Sequence, residues 1–129
     1  MSVNAKETYQ PSEDQEQEAV INYCDFKKIL VVHIANEGKR SVAYAARLKR
    51  IGMRKGFPDL FFPIPSGKYH GLFIELKSMN GRATPAQRWW IAELSARGYR
   101  AVICKGADAA IQEINSYMRE ETTHAAQKG

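Results

Sequence analysis

The stretch Gly56–Lys77, reading GFPDLFFPIPSGKYHGLFIELK, constrains the fold more than any other part of the chain. Two short apolar runs flank a turn at Ser66-Gly67-Lys68, and Pro63 and Pro65 close the first run. This pattern predicts two adjacent strands, over 59–64 and 70–77. Strand side chains alternate with period two, so Phe73, Glu75 and Lys77 share one face while Leu72, Ile74 and Leu76 take the other. Asp59 opens the first strand, and hairpin pairing brings it toward Glu75 and Lys77. Two carboxylates and an ammonium converging at a strand end suit a hard divalent cation with an activated water beside it. The plainer alternatives are a turn aspartate after Pro58 and an ion pair on an alternating face.

Around this hairpin the chain reads as helix, strand, helix, two strands, helix, strand, helix. Ser12 with Gln15 makes a capping box. The first helix is expected to run to about Asp25 with Glu16, Ala19, Val20 and Tyr23 inward. Residues 29–35, ILVVHIA, predict a strand, and Asn36–Arg40 a polar turn. Residues 41–51 predict a helix with Val42, Ala45, Ala46 and Lys49 along one side. Thr84-Pro85-Ala86-Gln87 combines a capping box with proline at the first helical position. That helix puts Gln87, Trp90, Ile91 and Leu94 on one face and closes at Gly98. Arg100–Cys104 predicts a strand. A last helix starts near Ala107 or Asp108, with Ile111, Ile114 and Met118 inward. Residues 1–11 and 120–129 are expected as flexible tails around a domain at 12–119. The αβαββαβα order gives an α/β fold, a mixed sheet flanked by helices. The strands at 70–77 and 100–104 should join by a right-handed parallel crossover.

With 129 residues the chain suits a single domain, and no apolar run is long enough to span a bilayer. Cys24 and Cys104 lack metal-site spacing and are expected as buried, reduced thiols of a cytoplasmic protein. His33, His70 and His124 are scattered without ligand spacing. The net charge of +5 favours an anionic partner, nucleic acid foremost. Lys39, Arg40, Arg47, Lys49, Arg50, Arg54 and Lys55 concentrate that charge just before Asp59. Arg47, Arg50 and Arg54 have helical spacing, and Arg82 extends the set. A phosphate-binding surface is expected there, against the plainer reading of a solvated cationic face. Trp90 has core spacing; Trp89 is turned away from it, free to stack on a base or to enter a dimer interface.

Pro58-Asp59, fifteen residues, then Glu75-Leu76-Lys77 resembles the signature of the PD-(D/E)xK nuclease superfamily. The longer string, Gly56–Leu60, Gly71–Lys77, Gly81 and Thr84–Gln87, is similar to its VRR-NUC branch, the virus-type replication-repair nucleases. The resemblance spans roughly residues 12–118 and implies a restriction-endonuclease-like core. It implies Asp59, Glu75 and the Leu76 carbonyl as ligands of Mg²⁺ or Mn²⁺. Lys77 would position the attacking water or stabilise developing charge, and Gln87 would point at the site. A first-helix glutamate often joins the ligands. Glu16 is preferred, because an acidic residue on an apolar face needs a reason; Glu13 is the alternative. The implied activity is metal-dependent DNA endonuclease action, selective for branched DNA such as Holliday junctions. The implied assembly is a homodimer, and the implied setting is the bacterial cytoplasm if the chain is phage-encoded. A non-catalytic nucleic-acid-binding module is the competing expectation.

Overall fold

A computed structural model describes residues 9–35 and 41–128, with side chains through Arg119. Its elements follow the expected order: α1 (Glu13–Lys27), β1 (Val32–His33), α2 (Val42–Arg50), β2 (Leu60–Phe62), β3 (Leu72–Lys77), α3 (Pro85–Ala96), β4 (Arg100–Lys105) and α4 (Ala107–Lys128). The strands form one mixed sheet in the order β1-β2-β3-β4. β1 and β2 are antiparallel, as are β2 and β3, while β3 and β4 run parallel. The α3 crossover is what allows the parallel pair, since parallel neighbours cannot be joined by a tight turn.

β3 is buried along its whole length, the condition of a central strand covered on both faces. Its two faces feed two cores. Leu72, Ile74 and Leu76 join Leu60, Phe62 and Cys104 under Val20 and Cys24 of α1 and Ala110, Ile114 and Tyr117 of α4. Phe73 and Ala101 pack with Leu94 of α3, and Trp90, Ile91, Phe57, Phe61 and Tyr99 close around them. Phe57 meets Phe73 and Trp90 edge-on at 5.4 and 4.9 Å. Tyr117 latches the hairpin turn: its hydroxyl donates to the Ile64 carbonyl at 2.6 Å, and Ser66 Oγ donates to the Tyr117 carbonyl at 2.7 Å.

Several boundaries differ from the sequence expectation. The strand over 29–35 contracts to Val32–His33, both exposed. Its partner β2 is only Leu60–Phe62, bracketed by Pro58 and Pro63, whose lack of an N–H ends the ladder. In α1 the buried positions are Glu16, Val20 and Cys24, so Ala19 is exposed and the inner face is rotated from the expected one. α2 buries none of its residues, and Val42 is 87 % exposed; only Leu48 is half-buried. The expected apolar side at Val42, Ala45, Ala46 and Lys49 therefore meets no core. α4 continues as helix to Lys128, through the segment expected as a tail, where Glu, Ala, Gln and Lys favour helix. The expected tail at 1–8 and the polar turn at 36–40 lie outside the described residues.

Both thiols are free and buried, and burial pushes each up to about 11. Asp25 adds to the shift at Cys24; Glu113 adds to it at Cys104, where Arg100 opposes it. A thiol in the unfolded chain titrates near ~8.5. Between these values the folded chain holds protons that the unfolded chain has lost, so the contribution to stability is full below about pH 8.5 and declines toward pH 11. Native protein at pH 8 is expected to resist a thiol-labelling disulfide reagent and to react at both sites in denaturant. A urea midpoint that falls above about pH 8.5, and falls less when both cysteines are alanine, checks the linkage.

Candidate metal and nucleic-acid site

The candidate site forms at the carboxyl end of β3. Leu60 is registered opposite Ile74, so one step outward Asp59 faces Glu75 across the β2–β3 pair. Asp59 is 3 % exposed, and its Oδ2 accepts the Leu76 backbone N–H at 3.0 Å. In a strand the N–H and C=O of one residue point to the same side. The Leu76 carbonyl therefore faces Asp59, while Lys77 turns its carbonyl the other way to accept Gly106 N–H at 2.8 Å. Glu75 is fully buried with both carboxylate oxygens shielded from solvent. Lys77 Nζ lies 3.4 Å from Glu75 Oε2, and its side chain is 10 % exposed. Asp59, Glu75, Leu76 and Lys77 are thus brought together by one register of one hairpin.

A carboxylate as deeply buried as Glu75 is costly unless a cation compensates it. Lys77 supplies one such charge. The remaining donors are two carboxylates and a backbone carbonyl, hard oxygens of the kind that Mg²⁺ and Mn²⁺ take, with water filling the rest of the shell. Among the described residues no group of three or more Asp, Glu, His or Cys side chains gathers closely enough to hold a metal by itself. The donor set that fits is the carboxylate pair with the Leu76 carbonyl and water.

The two first-helix glutamates have different partners. Glu16 is buried, but its Oε1 accepts the Ala107 N–H at 2.9 Å. It therefore caps the amino end of α4, where a negative charge also complements the helix dipole. Glu13, in the first turn of α1, sets its Oε1 3.9 Å from Lys77 Nζ. Sequence spacing favoured Glu16 because it is inward, and it is buried; nothing in the pattern revealed its bond to the end of α4. Gln87 is buried, and its Oε1 accepts the Thr84 N–H at 2.8 Å, completing the capping box of α3.

The basic residues are at the surface. Arg47, Lys49, Arg50, Arg54, Lys55 and Arg82 are all exposed. Arg54 does not share a helix face with Arg47 and Arg50, because α2 ends at Arg50 and the chain turns at Gly52, with φ +112°. Instead its guanidinium donates to the Lys49 and Met53 carbonyls, both at 3.3 Å. Arg40 lies outside the described residues. The 54–57 segment is pinned to α3: Trp90 Nε1–H donates to the Lys55 carbonyl at 3.0 Å. Gly56, at φ +87°, passes so close that a Cβ there would fall 2.8 Å from the Ala86 carbonyl carbon. Only glycine fits that approach. His70 lies before β3, at the opposite end from Lys77, with its ring against Tyr99.

Comparison with known proteins agrees with this fold. The family model for the VRR-NUC domain matches residues 3–108. A solved structure described as a VRR_NUC domain protein is 37% identical and superposes with a TM-score of 0.76, covering 84% of this chain and 89% of that one. The search of curated proteins finds no match.

Replacing Glu16 by alanine is expected to lower stability by about 0.5–2 kcal/mol, the usual worth of a helix cap. Urea unfolding should show the same loss in Mg²⁺ and in EDTA, and Glu16→Gln, which keeps an acceptor, should recover part of it. A loss confined to Mg²⁺ would assign Glu16 to the metal instead.

Proposed function

The chain belongs to the VRR-NUC domain family, a nuclease-fold family, and on that premise we propose that it is a metal-dependent DNA endonuclease selective for branched DNA. One observation carries the reading: the β2–β3 register sets Asp59 against the Leu76 amide and opposite the buried Glu75, with the Lys77 ammonium 3.4 Å from that carboxylate. A structural ion pair alone would not call for a second buried carboxylate at the same strand end.

In this reading Asp59, Glu75 and the Leu76 carbonyl hold a Mg²⁺ or Mn²⁺ ion. When bound, that ion supplies Lewis acidity toward a scissile phosphate and lowers the pKa of a water beside it. The chain's own residues do the rest. Lys77 is a compact point charge on a nearly buried stem, suited to orient the attacking water and to offset negative charge growing on the phosphoryl oxygens. Glu13 flanks Lys77 on the side of α1 and restrains its ammonium. Gln87 fixes the first turn of α3, and with it the Gly56–Asp59 approach that delivers Asp59. Arg47, Lys49, Arg50, Lys55 and Arg82 hold the flanking phosphates, where contacts position the duplex without reading its sequence. Branched substrate follows from a two-fold pair of chains, which sets two such sites on opposed strands.

The test is cleavage of labelled four-way junction, flap and blunt duplex DNA in Mg²⁺, Mn²⁺ or EDTA. Metal-dependent cuts placed symmetrically in the junction are expected. Lys77→Ala should remain folded, bind DNA and lose about 10²–10³-fold or more in rate, as when one transition-state donor is removed. Equal cutting of all three substrates would remove the branch selectivity. Binding without cutting under either metal would make the chain a non-catalytic nucleic-acid-binding module.

A further inference from the structure

We infer that the groove between Trp89 and the Arg54–Lys55 segment is a stacking site for an unpaired nucleotide of the substrate, so that Trp89 is the residue that favours DNA with a single-stranded arm. This rests on the nuclease reading above.

The groove, of about 490 Å³, is lined by Arg54, Lys55, Ala86, Trp89 and Trp90. That volume is ordinary for a small-ligand site. Trp89 is 56 % exposed, although it stands one residue from a core position. It rests edge-on against Trp90, with ring centroids 5.1 Å apart. Trp90 is itself fixed by its bond to the Lys55 carbonyl and by the Phe57 ring. The indole of Trp89 is therefore an exposed aromatic surface on a rigid support. A protein stacks bases with such a surface, because every base has a π-face and a held ring loses little entropy on binding.

Charge selects the occupant. Two cationic residues, Arg54 and Lys55, line the groove, and among the described residues no acidic one does. The nearest carboxylate along α3, Glu93, is paired with Arg97. An apolar wall with cationic residues matches a base with its phosphate. The position fits as well. Lys55 and Asp59 are four residues apart, a reach of at most about 14 Å. That spans about four base steps at ~3.4 Å per step. A base in the groove would thus lie within a few nucleotides of a phosphate held at Asp59, where a branch departs from its duplex.

The experiment is a fluorescence titration in EDTA at low salt, where no cleavage intervenes. Trp89 and Trp90 are the chain's two tryptophans, so quenching reports on this groove. The probes are a duplex bearing a single-stranded thymidine arm and a blunt duplex of equal length. The armed duplex is expected to quench emission more strongly. Trp89→Ala should weaken the armed duplex about 5- to 150-fold, the range for loss of one base–aromatic stack. Blunt-duplex affinity should change by less than about twofold, and Trp89→Phe should recover most of the armed-duplex affinity. Urea unfolding verifies that each variant is folded. Equal weakening on both duplexes, or no weakening, overturns the inference. So does a dimer that falls to monomer on Trp89→Ala in sedimentation, because the groove would then receive a second copy. Wild-type protein that cuts in Mg²⁺ while Trp89→Ala leaves its substrate preference intact rejects only this inference. Wild-type protein that neither binds nor cuts rejects the nuclease reading with it.

Discussion

The hydrogen bond from the Leu76 N–H to Asp59 Oδ2, 3.0 Å long, is the interaction on which the candidate site depends. It does by side chain what the sheet ladder does by backbone one residue further in. β2 cannot extend beyond Leu60, because Pro58 has no N–H to offer, so the pairing with β3 would fray at the end where the carboxylates lie. Asp59 continues the pairing by accepting the amide itself. The result is two acidic residues held opposite one another in a nearly dry pocket, with one ammonium beside them. Carboxylates repel at such range, and burial makes the repulsion worse. Lys77 offsets one of these charges, and in the proposed reading a divalent cation would offset the rest.

The helices on either face hold this strand end from two directions. On one side Glu16 caps α4 while Glu13 reaches Lys77, so α1 ties the start of the last helix to the Lys77 ammonium. Gly106, the residue before α4, donates to the Lys77 carbonyl and fixes β3 to β4 at the same level. On the other side α3 receives Gly56 against its first turn and the Lys55 carbonyl on Trp90. The segment that delivers Asp59 is thereby gripped before it enters the sheet. Rigid support of this kind is what a site needs when its reactive groups must stay within hydrogen-bond tolerances.

Much of this was legible in residue pattern. The alternation in LFIELK put Glu75 and Lys77 on the face of Phe73, and that face does pack under α3. Thr84-Pro85-Ala86-Gln87 marked the start of α3 to the residue, because capping boxes act locally. What escaped reading depended on tertiary partners. Glu16 was legible as inward, but its bond to an amide 91 residues away was not. The ILVVHIA segment has strand composition, yet its ladder is limited by the brevity of β2. α2 has apolar residues at helical spacing, yet Val42 and Ala45 are exposed. Arg54 fits a helical stripe with Arg47 and Arg50 only if the helix ignores Gly52, which it does not.

The central claim is that Asp59 and Glu75 hold a divalent cation, and the most direct measurement is Mn²⁺ binding to the folded protein by calorimetry. Asp59→Asn is the informative variant, since its side-chain oxygen can still accept the Leu76 amide while the charge is gone. The account predicts saturable Mn²⁺ binding by the wild-type chain. In Asp59→Asn, whose circular dichroism is unchanged, that affinity should fall about tenfold or more. Equal Mn²⁺ affinity in both proteins would contradict it, and would leave the buried carboxylates as part of a structural ion pair with Lys77.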